Sequence, residues 1–363
     1  MHGNKEIKIE VKITEIELID KLLIIGPPGV GKTEVIRQKA QEEAETLGRI
    51  FVDLRSVDKN VLKDIEREPS KYYLYLRIIA PHLLPEDTSI PVRNDNYVEF
   101  TLPRLLYLFT LPNIAGTIFV DELTNVVRDD QITLFFALLQ EKEVGWAKLN
   151  DNVKIIAAAN DAIWSEVARV LPKPLRNRLI IIHASPPTVN EWIEYMDRVY
   201  GNSWERLVAA FLKLYPEDFI KPPEEGDDFS AFPTPRSWST LALLLRRVKE
   251  GLKEAIIIGT VGKEAGAKFI TLMHEMSKMN FEDILKRLRE DPKVFDGLKT
   301  SEKILIAHYL ASHYREFVDI IEVLPDEWIV TIVMLIPMRE RLAFLARAPN
   351  IAKKLSKKVA ELT

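Results

Sequence analysis

Gly26-Pro27-Pro28-Gly29-Val30-Gly31-Lys32-Thr33 follows the apolar stretch Lys21 to Ile25 and opens a segment that carries Ile36, Ala40, Ala44 and Leu47 on one helical face. The octapeptide fits G-x-x-x-x-G-K-[ST], and a strand before it with a helix after it is the context in which this pattern cradles phosphate. Glycines let backbone N–H groups curl around phosphate oxygens, and the helix N-terminus adds its dipole at the same place. Lys32 is then expected to reach the β and γ phosphates, and the Thr33 hydroxyl to ligate Mg2+. All eight residues are assigned to the binding loop, with ATP and Mg2+ as its cofactors. Gly48 is placed to cap the helix.

Beyond this helix the pattern keeps alternating. Ile50 to Leu54, Thr117 to Val120 and Val153 to Ala158 read as strands, with Leu179 to His183 as a fifth, and Asp129 to Glu141 reads as a helix facing the core with Ile132, Phe135, Phe136 and Leu139. Strand and helix in alternation imply an α/β fold, a parallel sheet flanked by helices. Two of these strands end abruptly in polar residues. Thr117-Ile118-Phe119-Val120 runs into Asp121-Glu122, which suits Asp121 to hold Mg2+ or its water ligands and Glu122 to polarise an attacking water as general base. Ile155 to Ala159 runs into Asn160, placed to bond a γ-phosphate or position that water.

The composition narrows the remaining choices. Lys and Arg number 50 against 54 Asp and Glu, so the net charge of -4 calls for no polyanionic partner and argues against nucleic acid. The chain has no cysteine, which removes disulfides, Cys-ligated zinc and thiol catalysis, and is compatible with a cytoplasmic location. Met1 to Asp20 alternates apolar and charged residues and reads as a half-buried strand rather than a signal peptide. The longest apolar run, Trp328 to Met338, is too short to span a membrane, which takes about 20 residues. The six histidines show no metal-ligand spacing.

Val57 to Pro112 has a looser pattern and reads as an insertion, in which Tyr72, Tyr73 and Tyr75 are read as packing residues. Tyr215 to Pro235, rich in proline and acidic residues, reads as an extended connector. After Arg236 the pattern is helical throughout, over Trp238 to Arg247, Leu252 to Met279, Phe281 to Arg289, Ser301 to Val323 and Glu327 to Leu345. Lys353, Lys354, Lys357 and Lys358 form a basic stripe that reads as a solvated helix end.

The phosphate loop, the Asp-Glu strand and the Asn-ended strand are followed by Leu171-Pro172-Lys173-Pro174-Leu175-Arg176-Asn177-Arg178-Leu179 and by Phe232-Pro233-Thr234-Pro235-Arg236-Ser237-Trp238. In this order, over roughly residues 18 to 270, the chain resembles the MoxR-like AAA+ ATPases. The resemblance implies a P-loop NTPase core, placed over 1–190, and a helical lid, placed over 191–279; beyond about residue 280 it covers nothing, and 280–363 is read as a C-terminal helical extension from its pattern alone. It implies a homo-oligomeric ring, usually a hexamer, with ATP hydrolysed between subunits to remodel or activate a client protein, often with a von Willebrand factor A protein as partner. Asn160 would be sensor 1, Arg236 sensor 2 and Arg178 the arginine finger. Leu179 stands where the family has Phe, and Arg176 offers a second guanidinium nearby. Glu86 to Pro91 lacks the glycine of the family's D-L-x-G-x-P segment.

Two other readings stay open on the sequence. One is a nucleic-acid-directed ATPase of clamp-loader or branch-migration type, whose marks are a basic face and stimulation by DNA. The other is a nucleotide-dependent binding module that barely hydrolyses ATP, against which Glu122, Asn160 and the arginines argue.

Overall fold

In the computed structural model of the chain, residues 10–161, 164, 171–223 and 230–362 are described, their side chains as far as residue 356. The chain divides into two compact units, Met1–Pro186 and Pro187–Thr363.

The first unit runs β1 (Glu10–Lys12), β2 (Leu22–Ile25), α1 (Lys32–Thr46), β3 (Ile50–Asp53), α2 (Lys59–Arg67), β4 (Tyr72–Ile79), a hairpin of β5 (Ile90–Arg93) and β6 (Val98–Thr101), α3 (Arg104–Tyr107) and β7 (Ala115–Asp121). It continues through α4 (Asp129–Glu141), a short hairpin of β8 (Glu143–Val144) and β9 (Ala147–Lys148), β10 (Val153–Ala159), α5 (Lys173–Arg176) and β11 (Ile180–Ser185). Seven strands form one sheet in the order β1-β11-β2-β10-β7-β4-β3, every pairing parallel. Ile36, Ala40 and Ala44 of α1 pack on one face with Ile24, Tyr73, Tyr75 and Phe119. Leu62 and Ile65 of α2 and Phe135, Leu138 and Leu139 of α4 pack on the other, against Leu23, Leu74, Ile118 and Ile155. With both faces covered, the central strands have no solvent side, which is why they are continuous apolar runs rather than alternating ones.

The expected strands and the two expected helices are present, and the structure adds what the sequence pattern blurred. The segment after Val57 is not wholly an insertion, because Tyr72–Ile79 is a full strand of the main sheet, seated between β7 and β3. Tyr73 and Tyr75 are core residues, 1% and 2% exposed. Glu86 lies in a turn and Ile90 opens a hairpin exposed along both strands. At the N-terminus only Glu10–Lys12 is strand among the described residues, followed by a 3-10 turn that buries Ile13; Ile7 and Ile9 lie outside the described residues. Gly48 takes a left-handed φ of 65° just past α1, and the amide of Arg49 closes the end onto the Ala44 carbonyl at 2.8 Å.

The second unit is helical among its described residues: α6 (Val189–Tyr200), α7 (Leu207–Leu214), α8 (Pro235–Leu244), α9 (Lys253–Val261), α10 (Lys263–Lys278), α11 (Phe281–Glu290), α12 (Thr300–Ser312), α13 (Val318–Val323), α14 (Asp326–Leu335), α15 (Met338–Arg347) and α16 (Pro349–Leu362). One apolar cluster runs through it from Trp192 to Ile351. Two of the expected long helices are broken at residues that forbid continuation. Gly262 separates α9 from α10 with φ 83° and ψ 172°, and a Cβ there would lie 2.3 Å from the Ala231 carbonyl oxygen. Pro337 separates α14 from α15, holding Ile336 extended at φ -68° and ψ 137°. The expected helix Ser301 to Val323 likewise divides into α12 and α13. Part of the expected connector is packed rather than extended, since Asp218 and Phe219 are buried and the Trp238 indole N–H donates to the Asp218 carbonyl at 2.9 Å; residues 224–229 lie outside the described residues.

Asp197 on α6 is 2% exposed and gathers two arginines. It accepts from Arg206, from the Arg341 guanidinium at 3.2 Å and from the Met338 amide at 3.0 Å. Arg206 also donates to the Leu335 carbonyl, and Arg341 to the carbonyls of Ile336 and Met334. Burial pulls the pKa of both arginines down, and the Asp197 carboxylate works against that pull. His308 is a core residue, its pKa lowered to about 4 by burial first and by Arg206 next. No described helix is long and apolar enough to cross a membrane.

Candidate nucleotide site

Parallel pairing delivers the polar strand ends to one edge of the sheet. Ala159 pairs with Ile25, Ala157 with Val120 and Ile79 with Asp121, so the loop after β2, the carboxylates after β7 and Asn160 after β10 emerge side by side. The Gly26 amide donates to the Ala159 carbonyl at 3.2 Å, which fixes the start of the loop against β10.

Pro27 and Pro28 have no N–H, so the loop's donors are concentrated at Gly29, Val30 and Gly31. Gly29 and Gly31 turn the backbone through left-handed conformations, φ 73° and 95°. A Cβ at Gly31 would meet nothing within 4 Å, so glycine is required there by backbone conformation rather than by space. Gly31 is also the N-cap of the fifteen-residue α1, and no side chain caps it. The first-turn N–H groups and the helix dipole therefore face the loop, an arrangement that suits a phosphate.

Lys32 is buried, 7% exposed, and its ammonium is held by the carbonyls of Gly26 at 2.7 Å and Pro27 at 2.9 Å and by Asn160 Oδ1 at 3.0 Å. This contact joins the loop lysine to the residue at the end of β10. The Thr33 hydroxyl donates to Asp121 Oδ2 at 2.9 Å, joining α1 to β7. Asp121 is 6% exposed. Its other oxygen accepts the Glu122 amide at 3.0 Å.

Glu122 sits at φ 59° and ψ 36°, a left-handed conformation that costs a non-glycine residue roughly 1–2 kcal/mol. The turn separates two consecutive carboxylates, so that Asp121 faces Thr33 while Glu122, half-buried, approaches Asn125 Nδ2 at 3.5 Å. Local strain at the residue proposed as base is the kind of outlier found at working sites.

The hydroxyl of Thr33 and the carboxylate of Asp121 are hard oxygen donors on adjacent elements, a set that fits Mg2+ with water completing its shell. Together with the glycine loop and Lys32 they fit Mg-ATP. No group of three or more His, Cys, Asp or Glu among the described residues forms any other metal cluster.

One charged residue at this edge escaped the sequence reading. Arg77 on β4 places Nε at 3.0 Å and Nη2 at 2.6 Å from Asp121 Oδ2. Its only signal in the sequence is a lone charge within the apolar run Tyr72 to Ile79.

Of the two arginines assigned by resemblance, Arg178 lies in the same unit as the loop but not beside it. Ile180 pairs with Leu22, the first residue of β2, and its amide bonds the Lys21 carbonyl at 3.0 Å, so the chain just before β11 is at the opposite edge of the sheet. The four-residue β2 separates the two edges by about 13 Å at ~3.3 Å per residue. Arg178 there bonds Gln140 and lies 3.6 Å from Glu141 Oε1, at the end of α4. Arg176 is exposed, and its side chain makes no hydrogen bond or ion pair among the described residues. Arg236 is exposed on the first turn of α8, in the second unit, and likewise makes none among the described residues.

No family model matches the sequence. No curated protein matches it. Similar solved structures include a RuvB variant of Thermotoga maritima, 14% identical over 78% of this chain and 76% of that one with a TM-score of 0.33. They also include NtrX of Brucella abortus in complex with ADP, 16% identical over 85% and 63% with a TM-score of 0.33. A third is the ORC2 protein of Aeropyrum pernix, 13% identical over 78% and 70% with a TM-score of 0.33. At these identities and scores the likeness has no bearing on function.

Proposed function

We propose that the chain binds Mg-ATP at Gly26 to Thr33 and hydrolyses it as an AAA+ ATPase of MoxR-like type. The observation that carries this reading is the meeting of Lys32, Thr33, Asp121, Glu122 and Asn160 at one edge of a parallel sheet, linked by hydrogen bonds of 2.9 and 3.0 Å. Thr33 and Asp121 would hold the metal, which when bound would offset charge on the β and γ phosphates. Lys32 moves from the loop carbonyls onto phosphate oxygen. Asn160, already in contact with Lys32, orients the γ-phosphate or the water. Glu122 accepts the proton of the attacking water at its carboxylate.

Arg178 acts on another copy in this proposal. The edge it occupies is separated from its own phosphate loop by the full length of β2, farther than an arginine side chain extends. A guanidinium supplied in trans makes hydrolysis depend on assembly, and supports a ring of identical chains. Arg236 is retained as sensor 2, and a client protein, with a von Willebrand factor A protein as a partner, is retained as the recipient of the work. Both of these rest on the motif resemblance.

Steady-state ATP turnover against protein concentration, with and without added single- and double-stranded DNA, tests the assembly. Specific activity that rises with concentration and ignores DNA is the expected result. Activity independent of concentration removes the trans role of Arg178, and strong stimulation by DNA favours the nucleic-acid-directed alternative.

A further inference from the structure

The Asp121 oxygen that faces Thr33 is crowded with donors. Asp121 Oδ1 accepts the Glu122 amide, and Oδ2 accepts the Thr33 hydroxyl at 2.9 Å, Arg77 Nε at 3.0 Å and Arg77 Nη2 at 2.6 Å. A carboxylate oxygen offers about two lone pairs, so Oδ2, the oxygen that faces Thr33, has no place for a metal or for the metal's water while both Arg77 donors are on it. The Glu122 amide is fixed by the backbone, and the Thr33 hydroxyl can keep its donated bond while its own lone pair faces an ion. Arg77 is the donor that can leave.

Charge points the same way. The Asp121 side chain is 9% exposed, and a carboxylate that far from water needs a counter-charge, which the Arg77 guanidinium supplies. A divalent cation on the same carboxylate would stand beside that guanidinium, and like charges on one partly buried group disfavour each other. Arg77 has room to withdraw, since its side chain is 30% exposed and its strand places it beside Phe119, two residues short of Asp121.

We propose that Arg77 is the resident counter-cation of Asp121 in the metal-free site, gives way when Mg2+ is bound, and so sets the divalent-ion concentration the site requires. The proposal rests on the metal site described under Proposed function and adds its regulation. Arg77 touches neither substrate nor reacting atoms in this role; it is a positioning residue that competes with the ion.

The test uses the full chain with Mn2+ as a spectroscopic stand-in for Mg2+, its binding followed by electron paramagnetic resonance in the presence of saturating ADP. ADP affinity in EDTA is measured in parallel. Arg77→Gln is expected to bind Mn2+ about ten-fold more tightly than wild type, the size of an ordinary coupling between two ligands, with ADP affinity in EDTA unchanged. Arg77→Lys keeps the charge but loses the two-donor grip and is expected to fall between the two; it is the variant to read if Arg77→Gln does not fold. Mn2+ affinity equal to or weaker than wild type, with ADP still bound in EDTA, overturns the competition and leaves the nucleotide site standing. Failure of the wild-type chain to bind ADP at all overturns the site and the competition together.

Discussion

Glu122→Gln is expected to lower ATP turnover by about 10²–10⁴-fold while ATP affinity stays within about two-fold of wild type. The amide has the shape of the carboxylate but cannot accept a proton from water, so binding and chemistry separate. The backbone cost of the left-handed conformation is the same for both residues, and the approach of Asn125 Nδ2 at 3.5 Å has an oxygen acceptor in either. The bond of Thr33 to Asp121 and those of Lys32 to Gly26, Pro27 and Asn160 do not involve the Glu122 side chain; only its amide is used, by Asp121, and that survives the substitution. Single-turnover hydrolysis alongside equilibrium ATP binding checks the split. Turnover retained in the variant would take Glu122 out of the role of base.

Asp197→Ala is expected to destabilise the second unit by about 3–5 kcal/mol, because it leaves two buried guanidinium groups facing each other without their carboxylate. The side chains of Arg206 and Arg341 are each only 13% exposed, so water cannot take over. The Met338 amide loses its acceptor as well, at the turn that Pro337 forces between α14 and α15. Since Asp197 lies on α6 and Arg341 on α15, the loss falls on the attachment of the last helices to the first. Urea unfolding followed by tryptophan fluorescence measures it, with Trp192, Trp204 and Trp238 all in the affected core. A midpoint unchanged from wild type would mean that packing alone holds those helices.

Much of the first unit is legible in the sequence because burial on both faces of a sheet forces a particular signature. Leu22–Ile25, Ala115–Asp121 and Val153–Ala159 have to be apolar throughout, so the polar residue where each run stops is conspicuous and marks the edge at which chemistry can happen. Tyr72–Ile79 obeys the same rule, but three tyrosines and an arginine hide it. Two of them have a polar partner that explains them: the Tyr73 hydroxyl meets Thr117 Oγ1 at 2.8 Å and Arg77 reaches Asp121. Arg77 is visible as a partner of the site only once the register sets Ile79 against Asp121, which is a property of strand pairing and not of local pattern.

The second unit was legible as helix and not as boundaries. A 3.6-residue pattern continues across Gly262 and Pro337, since the apolar face on either side of each break serves the same core. The Asp197 cluster had no sequence signal, its members being separated by up to 144 positions. Arg178 and Arg236 are the opposite case. Their assignment came from motif order, and within a single chain the loop edge of the sheet contains neither Arg178 nor Arg176.

Equilibrium binding of ATP to wild type and to Lys32→Ala, measured with Mg2+ and again in EDTA, bears most directly on the phosphate loop. Lys32 is buried against the loop's own carbonyls and Asn160, and the account has it transfer to phosphate oxygen when ATP is bound. The expected result is ATP binding by wild type and a loss of about 10²-fold or more in the variant, the size of a removed charge-assisted contact of roughly 3 kcal/mol. Equal affinity in the two proteins would contradict the account, because nucleotide would then be bound without the loop.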